Sequence, residues 1–173
     1  CIRDSIKCGF IADPQILEIA STLNAQDPLA DNDALLEIIS RSVAVKAQVV
    51  SVDFMENFAR EALNYGHTLG HAIEIHSKYQ LRHGEAVAIG MVYIAELSLS
   101  RGLIDSSVLD LHRQLLTKFN LPISYARDAW QKLAPLLALD KKARGTTIRF
   151  VSLNGLGSTV RLEDLSSAEL DAA

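Results

Sequence analysis

The chain has 173 residues, 49% of them hydrophobic and 22% charged, with a formal net charge of −4. Those values describe one ordinary globular core, and no Lys/Arg cluster offsets the negative balance locally, which excludes a nucleic-acid footprint. No apolar run reaches the roughly 18 residues of a membrane-spanning helix, and no signal-peptide pattern opens the chain. Two cysteines, Cys1 and Cys8, are too few for a secreted disulfide scaffold, so the expected location is a reducing cytoplasm. The chain opens at Cys1 inside a helical pattern and reads as a truncated product.

Helices dominate the pattern. Asp13-Pro14 offers an N-cap carboxylate followed by proline at the first helical position. Ile16, Leu17, Ile19 and Ala20 carry the apolar face of the helix that follows. The polar stretch 24–33 reads as a loop. Over 34–52, Leu35, Ile38, Ile39, Ser42, Val45 and Val49 keep a 3.6-residue period, dense enough to predict burial on more than one side. Residues 55–63 lead into a glycine-punctuated helical stretch, 64–76. Residues 84–100 are apolar on nearly every face, as a central core helix would be.

Asp105 or Ser106 can cap a helix over 108–119, and another follows over 127–139, kinked or ended by Pro135. Only 147–153 is patterned as a strand, and 163–173 reads as a last short helix. The expected fold is all-α, a multi-helix bundle with at most a short β-strand near the C-terminus.

Four of the five histidines, His67, His71, His76 and His83, crowd into one short stretch, while His112 stands apart. His67 and His71 are four apart, so on a helix their imidazoles share a face and can converge on one point. Thr68 stands where a zinc protease would need a glutamate base, so the pair resembles a helical metal pair of another kind. His83, at the entrance of the next helix, could return to the same point. Gly66 and Gly70 each cost about 1 kcal/mol against alanine inside a helix, which is accepted where a backbone or ligand comes close. An isolated HxxxH is commonly structural; the third histidine and the glycines favour a functional site.

Lys46 lies on an otherwise apolar helix, and Arg60 and Asn64, four apart, lead into the histidines. A metal flanked by Lys, Arg and Asn suits a small anionic substrate carrying carboxylate or phosphate. Asp140-Lys141-Lys142 is a weaker indication, of the kind often found at a solvated helix end.

These residues resemble the 3-dehydroquinate synthase family. The resemblance is carried by Leu63-Asn64-Tyr65-Gly66-His67-Thr68-Leu69-Gly70-His71-Ala72, by His83-Gly84-Glu85-Ala86-Val87 and by Gly90-Met91. The run 7–14, Ser42-Val43 through Lys46-Ala47, and Asp140-Lys141-Lys142 match in order. The match extends over about 6–153 and covers only the family's helical C-terminal domain, so 6–173 is expected to be that domain, without the NAD-binding domain that precedes it. The resemblance implies conversion of 3-deoxy-D-arabino-heptulosonate 7-phosphate to 3-dehydroquinate with phosphate release, a shikimate-pathway step towards aromatic amino acids. It also implies NAD and a zinc or cobalt ion as cofactors, and a homodimer in the full-length enzyme.

Carried over by residue, the resemblance makes His67 and His83 metal ligands and His71 a polar partner in the proton-transfer and phosphate steps. Lys7, Lys46, Arg60 and Asn64 would hold the substrate, with Lys141 adding to the phosphate contacts. The family's third ligand, a glutamate, aligns with Asp4, in a run 1–5 that departs from the family and is expected to be foreign. Phe54 and Phe58 also depart from it, ahead of Arg60. Two alternatives stand beside this reading: another sugar-phosphate cyclase, and a non-catalytic metal-binding domain, since without a nicotinamide seat the fragment alone would be inactive.

Overall fold

The structure is a computed structural model that describes residues 2–52, 58–144 and 148–173, with the side chains at 52, 58–59, 127 and 138–144 left out. The chain is helical from its first described residue. Helix α1 (Ile2–Ile11) is buried along most of its length, and α2 (Gln15–Thr22) packs on it through Ile16, Leu17 and Ala20. The expected cap lies one residue on: Pro14 is the N-cap of α2, and Asp13 Oδ1 accepts from Gln15 N at 3.2 Å just ahead of it.

The long helix α3 (Asn32–Val52) lies across α1 and α2. Here burial departs from expectation. Ile38, Ser42 and Val45 face the core, but Leu36, Ile39, Val43 and Val50 lie exposed, so the helix is covered on one side only. Lys46 is exposed as well, and the apolar setting inferred for it is absent.

A single turn, α4 (Phe58–Glu61), runs through a 3₁₀ turn at Ala62–Asn64 into α5 (His67–His76). Helix α6 (His83–Ser100) forms the centre of the molecule, buried almost continuously from Ala86 to Ser98. Helix α7 (Ser106–Lys118) packs on it, capped by Asp105 accepting from Val108 N. Helix α8 (Trp130–Arg144) contains Pro135 without ending there.

His112, the histidine outside the cluster, is a core residue. It stacks on Phe10 with ring centroids 3.4 Å apart. Its Nδ1–H donates to Val108 O at 2.8 Å, which leaves Nε2 to accept from Tyr65 Oη at 3.0 Å. His76 is likewise engaged elsewhere, 2.9 Å from Tyr125 Oη.

The expected strand is β1 (Phe150–Leu153), fully buried, but it pairs antiparallel with a second strand, β2 (Thr159–Leu162), in register Phe150 with Leu162. The connecting turn places Gly155 and Gly157 at positive φ and ties the pair down through Gly157 N to Phe10 O and Gly155 N to Leu103 O, both 2.9 Å. A last helix, α9 (Ser167–Ala172), is capped by Ser166. The architecture is therefore a helical bundle with a two-stranded hairpin at one end. Among the described residues no helix is long and apolar enough to cross a membrane.

Candidate metal centre

The α5–α6 pair positions the histidines. The helices run antiparallel and close together because three glycines lie between them. A Cβ on Gly90 would fall 2.0 Å from Gly66 O, and one on Gly70 would fall 3.1 Å from Val87 Cα. Gly66 is not inside the helix as its spacing suggested. It is the N-cap, at φ 77°, a left-handed conformation that suits glycine. The close packing brings His83, at the first turn of α6, against the face of α5 that carries His67, His71 and Glu74.

The three imidazoles converge. Ring centroids are 5.3 Å apart for His67 and His83, 5.6 Å for His67 and His71, and 6.1 Å for His71 and His83. Ligand atoms of His71, Glu74 and His83 lie within 4.8 Å of one another. Two rings are held in a defined tautomer. His67 Nδ1–H donates to Tyr65 O at 3.1 Å, and His83 Nδ1 faces Glu74 Oε1 at the same distance. Both contacts leave Nε2 as the unshared lone pair, the state a metal ligand needs. Burial, reinforced by the charge of Lys7, lowers the His67 pKa to about 3, so this ring is neutral at ordinary pH. The residues present fit a divalent metal: three imidazoles and a carboxylate meet at one place, and two of the rings, His67 and His83, are braced through Nδ1.

Around them lies a set of charges contributed by α1. Lys7 is buried and donates through Nζ to Leu63 O at 2.6 Å, fastening α1 to the turn before α5. Burial, assisted by the charge of Arg3, lowers the Lys7 pKa to about 8. Asp4, aligned by sequence with a ligand, forms ion pairs with Arg3 at 2.8 Å and Lys7 at 3.7 Å. Lys46 is close enough for its charge to act on both Asp4 and Lys7, which places it at the rim of this set. Arg60 and Asn64 are exposed on the approach to α5. The side chains of Phe54, Phe58, Lys141 and Lys142 lie outside the described residues.

With this geometry in place, comparison with known proteins decides the family. The family model for the 3-dehydroquinate synthase C-terminal domain matches residues 2–143. The chain belongs to this family. A 3-dehydroquinate synthase of Paenarthrobacter aurescens strain TC1 is 48% identical over 174 residues, covering 99% of this chain and 47% of that protein. One from Arthrobacter sp. strain FB24 is 50% identical over 159 residues, 90% of this chain and 43% of its own length. The chain thus spans about half the length of the relatives it matches.

Solved structures share the fold. The 2-epi-5-epi-valiolone synthase of Streptomyces hygroscopicus subsp. jinggangensis 5008, with NAD+ and Zn2+ bound, superposes with a TM-score of 0.85 at 22% identity, over 98% of this chain and 48% of that one. A 2-deoxy-scyllo-inosose synthase, complexed with carbaglucose-6-phosphate, NAD+ and Co2+, superposes at 0.75 and 23% identity over the same shares.

Within this 3-dehydroquinate synthase domain, two residues of the centre went unrecognised in the sequence. Glu74 is three residues after His71 and seven after His67, a helical spacing that puts all three on one face and could have identified it. Arg3 carried no such indication, because nothing in its neighbourhood reads as part of a site. Cavities of about 520 Å³ beside Tyr93 and Trp130, and about 680 Å³ beside His76 and Tyr125, take in none of the three clustered histidines. Of the clustered histidines, His71 and His83 are exposed and His67 is half-buried.

Proposed function

We propose that the chain is the metal- and substrate-binding half of a 3-dehydroquinate synthase, which converts 3-deoxy-D-arabino-heptulosonate 7-phosphate to 3-dehydroquinate and releases phosphate. The observation that carries the proposal is the meeting of His67, His71 and His83 at one place, with His67 and His83 each fixed through Nδ1. The 48% identical relative named 3-dehydroquinate synthase supports the same reading.

His67 and His83 would hold a zinc or cobalt ion through Nε2, with Glu74 keeping His83 in its tautomer. Such an ion, when bound, supplies Lewis acidity toward the substrate's hydroxyls. His71, beside both ligands and open to solvent, is the proton-handling residue. Lys7 Nζ, with its pKa near 8, can donate to a substrate oxygen or give up a proton close to neutrality. Arg60, Asn64 and Lys46 bind the carboxylate, hydroxyls and phosphate, the planar guanidinium of Arg60 suiting a carboxylate. Lys141 is assigned to the phosphate. The hydride steps belong to NAD in the other half of the full-length protein, which is expected to act as a homodimer, and this half alone is expected to be inactive.

A second reading within the fold, a sugar-phosphate cyclase making another carbocycle, is favoured by the two structural neighbours. The test for both is a chimera in which this chain replaces the matching half of the Paenarthrobacter aurescens enzyme. With NAD+ and excess Co2+ it should release phosphate from the seven-carbon keto acid phosphate, and lose that activity on His67→Ala or His83→Ala. Turnover of sedoheptulose 7-phosphate or glucose 6-phosphate in its place would favour the second reading.

A further inference from the structure

We propose that Arg3 is a resident cation of the histidine centre, whose guanidinium holds the carboxylates and space of a divalent ion so that metal enters only by displacing it. The inference rests on His67 and His83 being metal ligands.

The Arg3 side chain is 7% exposed. Its Nη1 lies 2.8 Å from Asp4 Oδ1, but the N–H bonds are poorly aligned with the oxygen, and neither Nε nor Nη1 has a hydrogen-bond partner. A buried guanidinium with idle donors is held by charge and by shape rather than by a completed hydrogen-bond set. Its surroundings are the centre itself. Nε sits 3.7 Å from the place a Cβ on Gly84 would occupy, which puts the guanidinium in contact range of the corner next to His83. The charge of Glu74 acts on Arg3, and the charge of Arg3 acts on His67. The guanidinium therefore lies against Asp4 and the His83-Gly84 corner, within reach of the charges of Glu74 and His67, groups beside which a metal ion would sit.

A bound anion could also use the idle donors, but Asp4 and Glu74 would repel it. A plain structural ion pair between Arg3 and Asp4 would account for one carboxylate and leave the approach to Glu74 and Gly84 without a reason. A resident cation accounts for both carboxylates at once. Arginine also keeps its proton under this desolvation, so its charge persists across the working pH range.

The test is titration of the purified, metal-free chain with CoCl2, followed by calorimetry and by the visible spectrum of bound cobalt. Arg3→Gln and Arg3→Ala should raise the affinity roughly ten-fold or more, as expected when a unit charge close to the ion is removed at an effective dielectric constant of about 20. Arg3→Lys, which keeps the charge, should stay near the parent. The gain should vanish when His83→Ala is added. A second measurement uses the parent chain alone: modification of Arg3 by phenylglyoxal, read by peptide mass spectrometry, should be slow in the metal-free chain and faster once cobalt saturates it. Equal affinity in parent and neutral variants, with unchanged Arg3 labelling, would overturn the proposal while leaving the metal centre intact. Absence of cobalt binding in every variant would overturn both.

Discussion

Glu74 and His83 meet at 3.1 Å across the α5–α6 contact, carboxylate Oε1 against imidazole Nδ1. The pair joins a residue one turn beyond His71 to the first residue of the next helix, so the tautomer of His83 depends on the packing of two helices. Removing a carboxylate that braces a ligand histidine typically costs about 10–100-fold in metal affinity. Glu74→Ala should fall in that range by cobalt titration. Glu74→Gln, which can still accept from Nδ1–H, should lose much less. Equal losses in the two variants would indicate that the carboxylate binds the metal directly.

Helix packing sets the geometry, and its weakest tolerance is at Gly90. A methyl group there would lie 2.0 Å from Gly66 O, and Gly66 is held at positive φ. Backbone must move, so Gly90→Ala should destabilise the chain by about 3 kcal/mol or more in urea denaturation. Gly102→Ala meets no atom within 4 Å and is strained only by its φ of 68°, for a cost of about 1 kcal/mol. Similar costs at the two sites would mean that the helices can separate.

Acid should destabilise the fold through His112. Burial lowers its folded-state pKa to about 4, below the ordinary 6.5, so the unfolded chain takes up the proton first. His112 stabilises the fold fully above pH 6.5, and that stabilisation is lost as pH falls from 6.5 towards 4. At about 1.4 kcal/mol per pH unit the loss is roughly 3 kcal/mol. His67 shifts in the same direction, so the prediction concerns a difference between proteins. Urea midpoints of parent and His112→Gln between pH 7.5 and 4.5 should show a shallower decline in the variant. Parallel declines would assign the acid sensitivity elsewhere.

The exposed stripe of α3 should make the chain associate. Leu36, Ile39, Val43 and Val50 are 63%, 47%, 60% and 43% exposed, at spacings that align them along one side of the helix. Sedimentation velocity should reveal concentration-dependent association, reduced in Leu36→Glu/Val43→Glu with little change in Tm. A parent chain that stays monomeric at high concentration would contradict this.

Much of the site was legible because its spacing is local. His67 and His71 on one helical face, His83 at the next helix entrance and the glycine-marked approach are all properties of a short run. What escaped depends on contacts distant in sequence. Arg3 joins the centre only because α1 packs beside the first turn of α6. The apolar period of α3 was read correctly as a helix, but a period does not reveal how many sides find a partner, and Lys46 lies on an exposed side. Strand β2 is four residues, Thr159–Leu162, recognisable only once β1 stands beside it. The bundle itself followed from helix periods and from caps such as Asp105, which accepts from Val108 N in the structure.

His67 and His83 together are proposed to form a metal centre in this chain. Its most direct test is a cobalt titration of the purified chain beside His67→Ala, His83→Ala and His76→Ala, with circular dichroism confirming the fold of each. One saturable site is expected in the parent, retained in His76→Ala because that ring is engaged with Tyr125, and lost in the other two. Binding that survives both His67→Ala and His83→Ala, or that His76→Ala abolishes equally, would contradict it.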